Sequence, residues 1–324
     1  MVTRALMLVL AIVALVTAAV HSQTPLPNPT PREPSWAFQV IEAQLPPEPP
    51  EPATIPGSTR KYSPKEIDDL YNAPDWFPDQ HPQAPDIVLK GRAAAMVMAC
   101  GSCHLMSGLG HPESADLTGY TADYFVQQMM DFRAGLREDW ARRMNGFAKA
   151  MTDEEIRQAA AYFASLPRRR FVRVEEAAMV PKTFVGQGRM RFIDPKQTGT
   201  EPVGDRIIML PVDQELARKR DPRAESGFIA YVPPGSLAAG KALVEGGAGK
   251  TLACAGCHGD GLKGTETAPR LAGVHPIYLV RQLIHFKEGS RKGPNAGLMA
   301  APVANLSLRD MIDLSAYAAS LNPE

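Results

Sequence analysis

Cys100-Gly101-Ser102-Cys103-His104 and, 154 positions later, Cys254-Ala255-Gly256-Cys257-His258 account for all four cysteines of this 324-residue chain. In the pattern Cys-x-x-Cys-His, two thiols form thioethers to the vinyl groups of a haem, and the adjacent imidazole becomes the proximal ligand of its iron. Two other chemistries use paired cysteines. A redox-active Cys-x-x-Cys needs no histidine and comes with a thioredoxin-like βαβ pattern, and a four-cysteine zinc site needs no histidine at a fixed offset. The same five-residue signature occurring twice favours the first chemistry. We therefore expect two covalently bound haem c groups, one held by Cys100, Cys103 and His104 and the other by Cys254, Cys257 and His258.

The duplication extends beyond the motifs. At the same spacing Leu117 falls on Leu271, Gly119 on Gly273, Tyr124 on Tyr278, Gln128 on Gln282, Phe132 on Phe286, Gly135 on Gly289 and Arg137 on Arg291. One residue further out of register, Tyr162-Phe163-Ala164-Ser165-Leu166 falls on Tyr317-Ala318-Ala319-Ser320-Leu321. Self-similarity of this kind marks two copies of one module. It also singles out a sixth iron ligand among 14 methionines, because Met144 falls on Met299. Each precedes a helix-start signal by the same distance, Thr152 before Asp153-Glu154-Glu155 and Ser307 before Leu308-Arg309-Asp310. Met151 falls on Leu306 and Met311 on Ile156, so both are expected in the core, the usual place for methionine. His111, His275 and His285 are the competing ligands, but none has a partner in the other copy. A thioether opposite an imidazole stabilises ferrous iron and suits an electron relay, whereas a vacant site suits oxygen or peroxide chemistry.

Apolar residues at three- and four-residue spacing predict helices over Thr121–Ala134 and Pro276–Lys287, and a Thr or Ser cap with acidic residues behind it predicts final helices over Thr152–Leu166 and Ser307–Leu321. A short segment, Asp86–Ala99 or Ser236–Leu252, precedes each motif. The fold class is mainly α: two tandem helical lobes, residues 86–167 and 235–324. Residues 168–234 form a long irregular connection in which Phe171-Val172-Arg173-Val174 and Arg206-Ile207-Ile208-Met209-Leu210 are expected as short strands; it is either ordered by docking to a partner or a solvated spacer with a small β-hairpin packed across the lobes. Its Arg168-Arg169-Arg170 triplet is expected on a solvated face. Residues 23–85 are a Pro-rich extension, in which Pro46-Pro47-Glu48-Pro49-Pro50-Glu51-Pro52 suggests an extended spacer and only Ser63-Pro64-Lys65-Glu66 suggests a helix start. Residues 1–22 suggest a signal peptide: Arg4, an uncharged run from Ala5 to Val20, then a small-residue site before Gln23. The alternative is an uncleaved membrane anchor. With 35 basic and 35 acidic residues the net charge is zero, which gives no field for binding nucleic acid.

The residues Pro269-Arg270-Leu271-Ala272-Gly273, Tyr278, Gln282-Leu283, Phe286-Lys287-Glu288-Gly289-Ser290-Arg291, Met299 and Leu314-Ser315-Ala316-Tyr317, together with the motif, resemble class I cytochrome c, specifically the di-haem cytochrome c₄ kind. The resemblance covers both lobes, a little over half of the chain. It implies His104 and Met144 as axial ligands of one iron, His258 and Met299 of the other, and a backbone carbonyl at position 269 that accepts the proximal imidazole N–H. The first lobe departs from the pattern with Ala115 opposite Pro269 and Leu105 opposite Gly259. The function implied is a periplasmic electron carrier between a donor, either a dehydrogenase or a quinol-oxidising complex, and a terminal acceptor such as an oxidase. The extension and the connection resemble insertions in cytochrome subunits that accompany dehydrogenases. Membrane association would come through such a partner or through an uncleaved N-terminal segment. The alternative function is a di-haem enzyme such as a peroxidase, with one haem site left open.

Overall fold

The computed structural model describes residues 28–324; the expected signal peptide lies outside the described residues. Twelve α-helices are present among those residues, with short strands confined to the connection.

The Pro-rich extension contains α1 (Pro64–Ile67), which Ser63 caps through Glu66 in a reciprocal capping box. It is more than a spacer. Its Trp36, Ala37 and Phe38 are buried in the core shared with the second lobe, while Ile55, Ile67, Trp76 and Phe77 form a small core of their own. The proline run itself has no helix or strand. It is tethered, because Arg218 donates to the Pro46 carbonyl at 2.9 Å and pairs with Glu48 at 2.9 Å. Apolar side chains on both sides of the run explain the difference from a solvated spacer: burying them outweighs the freedom of the prolines between.

The first lobe runs through α2 (Asp86–Leu89), α3 (Gly101–His104), α4 (Ala122–Ala134), α5 (Arg143–Ala150) and α6 (Asp153–Ser165). Thr121 caps α4, and Gly135 ends it in the left-handed region at φ 71°. Thr152 and Glu155 form a capping box at the start of α6. Met129 and Phe132 of α4 meet Ile156, Ala159 and Phe163 of α6 in the lobe's core.

The connection carries β1 (Val172–Glu176), β2 (Met179–Pro181), β3 (Thr183–Val185), β4 (Arg191–Ile193), β5 (Thr200–Pro202), β6 (Ile208–Pro211), α7 (Gln214–Arg218) and β7 (Phe228–Val232). The two stretches expected as strands overlap β1 and β6, but they do not form a hairpin with each other. Both pair with β7, β1 in parallel from Val172↔Phe228 to Glu176↔Val232 and β6 antiparallel from Ile208↔Tyr231 to Pro211↔Phe228. β2 pairs with β5 and β3 with β4. Val172, Phe228, Ala230 and Val232 then bury into the second lobe's core, so the connection is a folded part of the molecule. Arg168, Arg169 and Arg170 are exposed, as expected.

The second lobe comprises α8 (Ser236–Gly246), α9 (Ala255–His258), α10 (Pro276–Lys287), α11 (Ala300–Ala304) and α12 (Leu308–Ser320). Ser307 and Asp310 form the capping box of α12, the counterpart of Thr152 and Glu155. α8 packs across α12 at Gly240. In the first lobe the corresponding segment makes only the four-residue α2, and Gly91 there sits in a tight loop against the Val97 carbonyl.

Candidate functional site

Each attachment motif makes a single helical turn, which places its two thiols and its imidazole on neighbouring positions of one short element. The His104 Nδ1 lies 2.8 Å from the Ala115 carbonyl oxygen, and the His258 Nδ1 lies 2.7 Å from that of Pro269. A carbonyl can only accept, so Nδ1 carries the hydrogen in both rings and Nε2 keeps its lone pair. Among the described residues neither Nε2 has a hydrogen-bond partner. Burial pushes both imidazoles below the ordinary histidine value and so favours the neutral form, the one a metal ligand must take. The second-lobe carbonyl is the one the resemblance implied, and the replacement of Pro269 by Ala115 in the first lobe leaves the same contact in place, because it belongs to the backbone.

The residue after each histidine needs an unusual backbone. Gly259 adopts φ 76°, ψ 170°, and Leu105 adopts φ 62°, ψ 160°. This region is nearly reserved for glycine. Leu105 tolerates it while buried in the core of the second lobe, so its side chain ties the first attachment motif to the other half of the molecule.

A cavity of about 560 Å³ opens beside Cys100, Cys103 and His104, walled by Phe125, Met129, Phe132 and Phe163 and reached by Met144. Met144 is half-buried in the first turn of α5; Met299 is half-buried at the end of the turn Ala296–Met299, against the second lobe's core. Paired thiols, an imidazole with an unpartnered Nε2 and apolar walls fit a covalently attached haem. No cluster of three or more Cys, His, Asp or Glu able to hold a metal ion occurs among the described residues, so a four-cysteine zinc site is not assembled. The competing histidines have other roles. His111 accepts from the Glu113 amide and meets the Ser114 hydroxyl, His275 donates to the Leu109 carbonyl at 3.0 Å, and His285 stacks on Phe38.

The lobes face each other through the repeated residues themselves. Arg137 and Arg291 form an antiparallel bridge between the two copies. Arg137 donates to Gln128 at 2.8 Å, to the Tyr278 hydroxyl at 2.8 Å and to Gln282 at 3.1 Å; Arg291 donates to Gln282 at 3.0 Å, to the Tyr124 hydroxyl at 2.9 Å and to Gln128 at 2.9 Å. Each arginine therefore binds the glutamine of its own lobe and the Tyr and Gln of the other, a pseudo-twofold network. Around it lie two ion pairs with little exposure, Asp116–Arg270 and Glu113–Arg281, both at 2.7 Å. The Tyr, Gln and Arg repeats are legible in the sequence and these ion pairs are not: Asp116 and Arg270 occupy matching positions with opposite charge, and Glu113 and Arg281 occupy unmatched ones.

A model of the cytochrome c family matches residues 237–322. Cytochrome c-554(547) of Halothiobacillus neapolitanus is 40% identical over 85 residues, which span 93% of that protein and 23% of this chain. The chain belongs to the cytochrome c family. Cytochrome c4 of Pseudomonas aeruginosa is 27% identical over 238 residues, covering 72% of this chain and 87% of the relative, so the likeness takes in both lobes. Among solved structures, the thiosulfate dehydrogenase TsdBA from Marichromatium purpuratum matches with a TM-score of 0.50 at 26% identity, over 73% of this chain and 39% of that one. This cytochrome is a di-haem electron-transfer protein with two covalently bound haem c groups in tandem.

The lobe interface of this cytochrome should be acid-sensitive through His275, which donates to the Leu109 carbonyl. Burial pushes His275 down to about 4 from 6.5, although its bond to Leu109 opposes the shift. The folded chain therefore keeps His275 neutral where the unfolded chain is protonated. Its contribution is complete well above pH 6.5 and is lost as pH falls towards 4, the loss reaching roughly 2 kcal/mol at pH 5. Denaturant unfolding between pH 4 and 7 should show stability rising with pH, and His275→Gln should flatten that rise. An equally steep profile in the variant would refute the assignment.

Proposed function

We propose that Cys100 and Cys103 would hold one haem and Cys254 and Cys257 the other, with His104 and Met144 as the residues that would bind iron in the first lobe and His258 and Met299 in the second. The observation that carries this reading is the pair of imidazoles, each with Nδ1–H given to a backbone carbonyl and Nε2 left free beside two thiols. When bound, haem iron supplies one-electron chemistry. The carbonyls of Ala115 and Pro269 orient the imidazoles, and in the first lobe the apolar walls of the cavity exclude water.

The protein acts, in this reading, in the periplasm between a dehydrogenase or quinol-oxidising complex and a terminal acceptor such as an oxidase. The likeness to a thiosulfate dehydrogenase structure supports a dehydrogenase as donor. The two attachment sites differ in access: Gly101 and Ser102 of the first motif are buried, whereas Gly256 and Cys257 of the second are exposed. Electrons are therefore exchanged with partner proteins at the second lobe, and the first haem communicates through the lobe interface.

The test is the weak far-red sulfur-to-iron absorption of the oxidised protein. Its intensity should account for two haems, and Met144→Ala and Met299→Ala should each remove about half of it. A full band in either variant would refute that methionine as a ligand.

A further inference from the structure

The connection delivers a charge to the first lobe that the second lobe does not receive. Arg189 ends the turn Gln187–Arg189, where Gly188 and Arg189 both take left-handed conformations, φ 67° and 57°. Its side chain lines the first-lobe cavity, and the residue is only 5% exposed. The guanidinium sits 5.3 Å over the Trp140 ring. It makes no hydrogen bond or ion pair among the described residues. The charged groups around it are Glu113, Asp139, Arg143 and Arg281, and Glu113 is already committed to Arg281 at 2.7 Å.

A guanidinium does not give up its proton in a protein, and an unpaired buried cation costs several kcal/mol. Burial pushes Arg189 below the ordinary arginine value, in the direction that cost requires. A fold that pays it at a cofactor cavity wall has left room for an anion. Haem carries two carboxylate side chains, and the cavity holds the attachment residues of the first haem. The acidic groups nearby do not fill the role, since none comes within ion-pair distance of Arg189.

We propose that Arg189 pairs with a carboxylate of the first-lobe haem and thereby raises that haem's reduction potential above what its axial ligands alone would set. A carboxylate near iron favours the ferric state, and a cation neutralising it restores the ferrous state. The connection has no second copy in the repeat, so the second haem lacks this partner, and the first lobe becomes the electron's preferred seat. This inference rests on the ligand assignment proposed above.

The experiment is a spectroscopic redox titration of the holoprotein, fitted to two steps. Met144→His changes only the first lobe's ligand, so the step it lowers is that lobe's. Arg189→Gln should lower the same step by about tenfold in its equilibrium constant, about 59 mV for one electron, and leave the other step within about twofold. Arg189→Lys, which keeps the charge, should restore most of the loss. If Met144→His moves neither step, the ligand assignment fails. If it moves one and Arg189→Gln leaves that step in place, or lowers both steps equally, the Arg189 proposal alone fails. Should the Gln variant lose the far-red band, the Lys variant decides, and a tenfold drop with the charge retained overturns the proposal.

Discussion

Asp116→Ala should destabilise the protein by about 3 to 5 kcal/mol, because it strands Arg270. The Arg270 side chain is fully buried and gives one bond to Asp116 at 2.7 Å and others to the carbonyls of Thr118 and Ala272. Asp116 is buried too, and it also accepts from the amide and hydroxyl of Thr118, both at 2.8 Å. Removing the carboxylate leaves a desolvated cation whose remaining partners are neutral. Arg270 adjoins Pro269, whose carbonyl holds His258, so the loss should reach the second haem as well as the lobe interface. Denaturant unfolding of Asp116→Ala, Arg270→Met and the Asp116→Leu/Arg270→Met double variant forms the test. The double variant should recover much of the loss, since apolar replacement of a buried pair is often close to neutral. A double variant as unstable as Asp116→Ala would show that shape, not charge, explains the effect.

Gly240→Val should destabilise the second lobe by about 3 kcal/mol or more. A Cβ at Gly240 would stand 2.0 Å from the Asp313 carbonyl oxygen and 2.8 Å from the Tyr317 Cβ. The contact is with the backbone of α12, so no side-chain rotation relieves it, and the helices must separate where α8 crosses. Alanine would gain about 1 kcal/mol of helix propensity at this position yet still meet the same carbonyl, so it too should lose stability. Thermal unfolding checks both variants. Gly246, also in α8, has nothing within 4 Å of its Cβ position, and Gly246→Ala is the control that should not destabilise. Equal melting temperatures for Gly240→Val and the parent would mean that the helices do not cross there.

The helices were legible because their signals are local. Thr152 with Glu155 and Ser307 with Asp310 announce capped starts within four residues, and the structure begins α6 and α12 one residue after each cap. The strands were only partly legible. Val172–Glu176 and Ile208–Pro211 have strand composition, but their common partner β7 lies elsewhere in the connection, and pairing partners leave no local mark. The proline run was read from its own composition, whereas its placement is set by Trp36, Phe38 and Trp76 on either side. Of the histidines, His275 and His285 owe their surroundings to contacts more than 160 residues away, with Leu109 and with Arg32 respectively.

Sequence alone determined that this chain holds two copies of one helical module, each with a Cys-x-x-Cys-His motif, because spacing and repetition are properties of the string itself. The tertiary structure decided how the copies meet: Arg137 and Arg291 exchange bonds with Tyr and Gln across a pseudo-twofold, and Asp116 faces Arg270 although the repeat makes them equivalent positions. It also decided that the connection folds Arg189 into the first lobe. These are contacts between residues far apart in sequence, and their energies come from burial and charge pairing that exist only once the lobes have closed on each other.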